Sequence, residues 1–402
     1  MQTRLAEFIR DTPEGREADA ILRKCVHCGF CTATCPTYQL LGDDLDGPRG
    51  RIYLIKRALE GAEVTDKTRL HLDRCLTCRA CETTCPSGVR YGRLADIGRA
   101  VVEARTTRPL LERWKRSALA FALPRTLVFG FFLGLGRLFR PLLPEGIRRK
   151  IPAASSPRGA WPAPRHARKM LALAGCVQPA IAPSINAAAA RVLDRIGVSL
   201  LEAPGAGCCG AVRFHLNRQE DGLDDMRALI DAWWPPIERG EVEAIAMTAS
   251  GCGATVREYG HLLAHDPQYR DKAARVAAMA KDLCEIVPAD ALAQRPPRGR
   301  VAFQSPCTLQ HGQQIRGKVE ALLARAGYEL TPVRDAHLCC GSAGTYSLLQ
   351  PELSTELRRR KLECLEEGRP EAIATANIGC LAHLQGAASA PVRHWIELLD
   401  VE

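Results

Sequence analysis

Two stretches, CVHCGFCTATCP at residues 25–36 and CLTCRACETTCP at residues 75–86, share one pattern of cysteines. Each places three cysteines at intervals of three, a fourth four residues further on, and a proline directly after it. A cubane iron–sulfur cluster offers four irons, each needing one thiolate. Three closely spaced cysteines can wrap three irons of one cube, while the fourth typically ligates the neighbouring cluster. The spacing therefore predicts two [4Fe–4S] clusters. Cys25, Cys28, Cys31 and Cys85 would hold the first, and Cys75, Cys78, Cys81 and Cys35 the second. Zinc sites use paired C-x2-C units and give no reason for a third cysteine at the same interval. A c-type haem needs histidine directly after C-x2-C, where Gly29 and Glu82 stand. His27 reads as an exposed turn residue. Lys24, Arg74 and Arg79 are the nearby cations that could tune the clusters.

Around these motifs the first 104 residues look helical. Ile52, Ile55, Ala58 and Leu59 form one apolar stripe, and Leu94, Ile97 and Val101 another. The 402-residue length suggests more than one domain. Eighteen cysteines in a chain whose start, MQTRLAEFIRDTPEG, has no apolar signal core point to metal ligation in a reducing compartment.

The second half reads as a duplication. Cys176, Cys208 and Cys209 recur 131 residues later as Cys307, Cys339 and Cys340, and Cys252 recurs 128 residues later as Cys380. Gly210 and Gly341 follow the paired cysteines, and Gly251 and Gly379 precede the last ones. Each copy alternates strand and helix: MLALAG (170–175) and RVAF (300–303), VSLLEA and YELTPV, EAIAMTAS and EAIATAN, with helices at 185–197 and 318–327 stopped by glycine. Such alternation predicts small parallel sheets, with the cysteines at the carboxyl ends of the strands, where ligands bind. Cys176, Cys208, Cys209 and Cys252, then Cys307, Cys339, Cys340 and Cys380, are candidate further metal sites. A redox-active thiol site and plain buried cysteines are the alternatives. Cys284 and Cys364 fall outside the repeat and read as core. His215, His311 and His337 lie near cysteine loops and read as structural or exposed.

The expected fold is thus α+β and multi-domain. An α-helical, two-cluster, ferredoxin-like domain (1–104) precedes a basic apolar linker (105–168) and two duplicated α/β Cys-Cys-Gly domains (169–294 and 295–402). The net charge of +10 resides in the linker, where residues 105–169 carry 15 Lys/Arg against 2 Asp/Glu. Within it, residues 117–143 read SALAFALPRTLVFGFFLGLGRLFRPLL, with eleven uncharged residues between Arg125 and Arg137. That run is short of the roughly 20 residues needed to span a bilayer. It suits a helix lying in the membrane interface, or a helical hairpin docked on this protein or on a partner subunit.

The stretches CVHCGFCTATCPTY, GPRGRIYLIK, RCLTCRACETTCPSGVRYGRL, GCCGA, SGCGATVREYG, SPCTLQH, CCGSAGTYS and NIGCLAHL resemble the iron–sulfur subunits of glycolate oxidases. Related families serve anaerobic glycerol-3-phosphate dehydrogenase and lactate utilisation, and heterodisulfide reductase shares the Cys-Cys-Gly units. The resemblance implies an electron-transfer subunit with no catalytic residue of its own. A separate flavin subunit would oxidise glycolate to glyoxylate, and this chain would relay the electrons toward a membrane quinone. It also implies a cytoplasmic protein held peripherally on the inner face of the cell membrane. The sequence shows no dinucleotide-binding glycine motif after a strand. In the reductase relatives each unit ends in C-x-x-C and can hold an unusual cluster through five cysteines. Here Thr255 and His383 stand at that spacing, and Ala249 and Asn377 stand there counting backward. Two other functions compete: a thiol–disulfide reductase using the Cys-Cys-Gly units, and a nucleic-acid-binding protein using the basic segment. The missing fifth cysteines count against the first and the apolar linker against the second, so no nucleic-acid partner is expected.

Overall fold

The computed structural model describes residues 1–142, 144, 148, 151, 157–292 and 295–400. Parts of the linker (143, 145–147, 149, 150 and 152–156) and of the expected Cys-Cys-Gly domains (293, 294, 401 and 402) lie outside the described residues. The chain forms two compact units, Met1–Arg116 with His337–Lys361, and Ser117–Ala336 with Leu362–Glu402.

The N-terminal part of the smaller unit is helical, as its stripes predict. The helix Pro13–Lys24 starts on Thr12, whose hydroxyl accepts from the Gly15 N–H at 3.0 Å. The helix Pro48–Leu59 buries Ile52, Ile55, Ala58 and Leu59 against Leu94 and Ile97 of the helix Tyr91–Arg105. These two helices approach closely at Gly98, where a Cβ would stand 2.5 Å from the Ile55 side chain.

The larger unit holds two four-stranded parallel sheets. The first comprises β1 (Arg168–Ala172), β2 (Val198–Leu201), β3 (Ala244–Met247) and β4 (Ala280–Asp282), in the order β2-β1-β3-β4. The second comprises β5 (Gly299–Gln304), β6 (Tyr328–Leu330), β7 (Ala372–Thr375) and β8 (Val392–His394), in the matching order β6-β5-β7-β8. Side chains alternate between faces, as strand geometry requires. Met170, Ala172, Ala244 and Ala246 enter one core, while Leu171, Leu173, Ile245 and Met247 enter another. The first of these cores also takes Val301, Phe303, Ala374 and Trp395 from the second copy, so the copies share an interior. Their helices interlock reciprocally. Ser184–Arg195 of the first copy packs on Trp395–Leu399 of the second, and Lys318–Arg325 of the second packs on Leu283–Ile286 of the first. The α+β expectation therefore holds. The sequence reading missed the fourth strand of each sheet.

The basic segment forms helices Leu110–Ala122 and Thr126–Leu138, bent by 112° across residues 123–125. Among the described residues no single helix is long and apolar enough to cross a membrane. Leu110, Trp114, Phe121, Leu127, Phe131 and Leu138 are all exposed.

The copies also end alike. Asp282 and His394 each finish the fourth strand and cap a short helix, with Glu285 and Glu397 closing a capping box. The Ile396 N–H donates to His394 Nδ1 at 3.3 Å, which requires that nitrogen to be unprotonated. Burial pushes the His394 imidazole down to about 3 from its usual 6.5. The unfolded chain therefore takes up a proton that the folded chain refuses. His394 leaves stability intact above pH 6.5 and removes it as pH falls from there toward about 3. Asp282, pushed up to about 6 by burial, acts in the opposite sense as pH rises. The comparison is therefore between variants at one pH. His394→Asn keeps a capping group without the titration. Its stability relative to the parent should improve below pH 6.5 by up to about 1.4 kcal/mol per pH unit, read by denaturant unfolding. A stability difference that stays flat with pH would contradict this.

Candidate iron–sulfur site

Both cysteine loops turn on left-handed residues at the same two places. In the first loop these are His27 (φ 60°) and Gly29 (φ 87°), and in the second Thr77 (φ 51°) and Arg79 (φ 61°). Backbone turned in this way aims N–H groups into a concavity that suits an anionic cluster. The Thr77 N–H lies 3.4 Å from Cys75 Sγ and donates to it. Three non-glycine residues hold a conformation that costs energy, which persists only where the surroundings fix it.

The loops surround two cavities. Cys25, Cys28, Cys31 and Cys85 line the first, together with Cys81, and its empty space is about 440 Å³, part of it open solvent. Cys35, Cys75, Cys78 and Cys81 line the second, of about 290 Å³. The fourth cysteine of each motif thus faces the cavity built by the other motif's first three. Pro48, Cys81 and Tyr91 line both cavities. The Tyr91 O–H donates to Cys75 Sγ at 3.5 Å. Pro48 opens the helix Pro48–Leu59, so the positive end of that helix faces the cavities.

Three of these thiols, Cys31, Cys35 and Cys81, are held above the usual thiol range. Burial, then the neighbouring Cys25, pushes Cys31 up to about 11. Burial and the neighbouring Cys78 and Cys75 push Cys81 well above the usual thiol range. Bound iron would reverse this by supplying the missing positive charge. Among the described residues no cysteine is in a disulfide. Sulfur-rich cavities with N–H donors turned inward fit two [4Fe–4S] clusters.

The larger unit gathers Cys176, Cys208, Cys209 and Cys252 into a second thiol site at the carboxyl ends of β1, β2 and β3. The thiols hydrogen-bond in a chain: Cys176 with Cys208, Cys208 with Cys209, and Cys209 with Cys252. That chain pulls Cys208 into the thiolate range, aided by the Gly210 N–H at 3.4 Å and the Arg213 guanidinium, and it pushes Cys176 and Cys209 up. Gly210 is required here. Its φ is +81°, and a Cβ would stand 2.4 Å from the Gly222 carbonyl oxygen. Of the second set, Cys307 and Cys380 lie in the larger unit and Cys339 and Cys340 in the smaller. Asn377, at a place where a fifth cysteine would stand, donates to Cys380 Sγ at 3.6 Å. Ala249, its counterpart, is buried, and the Thr255 hydroxyl donates to the Gly251 carbonyl.

The remaining sequence candidates distribute as follows. His27 and His215 are exposed, His337 is half-buried and His311 is buried. Cys284 joins the shared core, and Cys364 is also buried. Lys24 is exposed, Arg79 lines the second cavity, and Arg74 pairs with Asp46 at 2.8 Å. Sequence reasoning missed Arg51, Asp46, Thr37 and Tyr91. The signal for Arg51 was present in GPRGR, where Gly50 allows a close approach to the preceding turn.

Paired cysteine-lined cavities in a helical unit, in a chain that repeats a Cys-Cys-Gly parallel sheet, define a two-cluster iron–sulfur electron-transfer protein. The profile of the 4Fe-4S dicluster domain matches residues 21–89, and that of the Cysteine-rich domain matches 170–257 and 301–385. The glycolate oxidase iron–sulfur subunit of Escherichia coli K12 is 57% identical over 402 residues, covering 100% of this chain and 98% of that protein. A probable glycolate oxidase iron–sulfur subunit of Bacillus subtilis 168 is 30% identical, covering 90% and 88%. Lactate utilization protein A of Geobacillus thermodenitrificans is 26% identical over 54% of this chain and 92% of its own. The chain belongs to the glycolate oxidase iron–sulfur subunit family.

The cavities depend on one close approach. A Cβ on Gly50 would lie 2.1 Å from the Asp44 carbonyl oxygen, which packs the Asp44–Asp46 turn on the helix carrying Pro48 and Arg51. Gly50→Ala should cost about 1–3 kcal/mol. It should also lower the iron bound after anaerobic reconstitution. Unchanged iron content and thermal stability would contradict this packing account.

Proposed function

We propose that this chain is the electron-transfer subunit of a glycolate oxidase. It would take electrons from a flavin subunit that converts glycolate to glyoxylate and pass them toward a quinone. The observation that carries this reading is the 57% identity along the full length to the Escherichia coli glycolate oxidase iron–sulfur subunit. The weaker, half-length similarity to lactate utilization proteins supports glycolate over lactate.

Cys25, Cys28, Cys31 and Cys85 would hold one cluster, and Cys75, Cys78, Cys81 and Cys35 the other. Bound clusters supply reversible one-electron storage. The chain's own residues donate the Thr77 N–H and the Tyr91 O–H to Cys75 sulfur, and keep the two sites adjacent across Cys81 and Tyr91. The linked thiols Cys176, Cys208, Cys209 and Cys252 would form a further metal site, and Cys307, Cys339, Cys340 and Cys380 are its duplicate in sequence. The exposed apolar residues of Leu110–Ala122 and Thr126–Leu138, with their basic neighbours, suit the inner membrane surface, close to quinone.

Glycolate added anaerobically to the complex with its flavin subunit should bleach the iron–sulfur absorbance, and the isolated chain should not respond. Bleaching by lactate or glycerol 3-phosphate but not by glycolate would reassign the substrate. Iron counting separates the sites, since about eight irons per chain correspond to two cubanes alone. A clear excess would mean that the Cys-Cys-Gly sites are loaded.

A further inference from the structure

The two cavities differ in their charged surroundings. Arg51 lines the second cavity beside Cys35 and Cys75, and its side chain is only 1% exposed. Its guanidinium donates to the His71 carbonyl at 2.7 Å and to Thr37 Oγ1 at 3.1 Å. It also faces Asp46 Oδ1 at 3.5 Å. The Thr37 hydroxyl lies 3.3 Å from Cys35 Sγ, so the cation reaches the cysteine shell through one side chain. Asp46 is equally buried and shared, with His71 Nδ1 at 3.1 Å and Arg74 at 2.8 Å. A second guanidinium, Arg99, donates to the Cys75 carbonyl at 2.6 Å and to Thr77 Oγ1 at 2.8 Å. The first cavity has Arg49 instead, which is half exposed and paired with Asp44 at 3.0 Å. Water and that carboxylate screen its field.

Adding one electron makes an iron–sulfur site one unit more negative. A cation shielded from water stabilises that state far more than an exposed one. We infer that Arg51 raises the reduction potential of the second centre relative to the first, with Asp46 as the opposing charge that limits the rise. The inference rests on the ligand sets proposed above. It makes Arg51 a positioning residue for the electron, acting through charge without touching the partner subunit or its substrate.

The test is a redox titration of the full chain, reconstituted anaerobically and followed by electron paramagnetic resonance. Cys28→Ser and Cys78→Ser identify which signal belongs to which centre. Arg51→Gln should lower the midpoint of the signal that Cys78→Ser removes by about 59 mV, a tenfold change in a one-electron equilibrium. The other midpoint should stay in place. Arg51→Lys should restore most of the shift. Asp46→Asn should move the same midpoint upward, opposite in sign to Arg51→Gln, and general damage to the fold would not produce that reversal. If Arg51→Gln fails to load iron, the sign of the Asp46→Asn shift decides alone. Unmoved midpoints in loaded Arg51→Gln, or a downward shift in Asp46→Asn, would overturn the role of Arg51. A shift confined to the signal that Cys28→Ser removes would overturn the ligand sets.

Discussion

Eight sulfurs crowd into two adjoining cavities, and the smaller unit depends on that crowding. As thiolates they would repel one another, and burial pushes the Cys31, Cys35 and Cys81 thiols above the usual range. Only a cationic group at the centre of each set removes the conflict. The protein prepares for it in the backbone, with left-handed residues at matched points of both loops and N–H groups turned toward sulfur. It also prepares in the topology. Each motif gives its last cysteine to the cavity of the other, so neither cavity is complete until both loops and the helix between them are in place. Assembly of either metal centre therefore needs both loops in place.

The larger unit meets a different demand. Its first parallel sheet puts Cys176, Cys208, Cys209 and Cys252 at the carboxyl ends of its strands. A four-stranded sheet is small, however, and covering both of its faces requires more apolar surface than one copy offers. The copies resolve this by sharing an interior. Met170 and Ala246 of one copy enter the same core as Phe303 and Trp395 of the other. In each copy the helix that connects the first two strands packs on the short terminal helix of the other copy. The equivalent capping residues, Asp282 and His394, show how far the copies have diverged while keeping their geometry.

The cysteine spacing made the dicluster region legible, because few chemistries need three thiols at intervals of three. The duplication was legible by equal offsets, and six strands were legible as short apolar runs followed by cysteine loops. β4 and β8 were not. They read Ala-Lys-Asp and Val-Arg-His, three residues each with an exposed charge in the middle, and they carry too little apolar pattern to stand out. Arg51 was passed over for a related reason, although Gly50 beside it was a signal. A charged residue on an amphipathic helix reads as solvated, and its burial follows from the Asp44–Asp46 turn closing over Gly50, which the glycine in GPRGR permits but does not by itself announce. Asn377 likewise looked like a missing ligand in the sequence, whereas its amide lies in hydrogen-bond contact with the Cys380 thiol.

The exchange of fourth cysteines between cavities is the claim on which the account stands. It is tested most directly by magnetic resonance spectra of four single variants, each reduced under the same conditions. Cys28→Ser and Cys85→Ser should abolish or alter one and the same signal, although they lie in different motifs. Cys78→Ser and Cys35→Ser should do so for the other signal. If Cys85→Ser instead perturbs the signal lost in Cys78→Ser, each motif holds its own cluster, and the crossed arrangement is wrong.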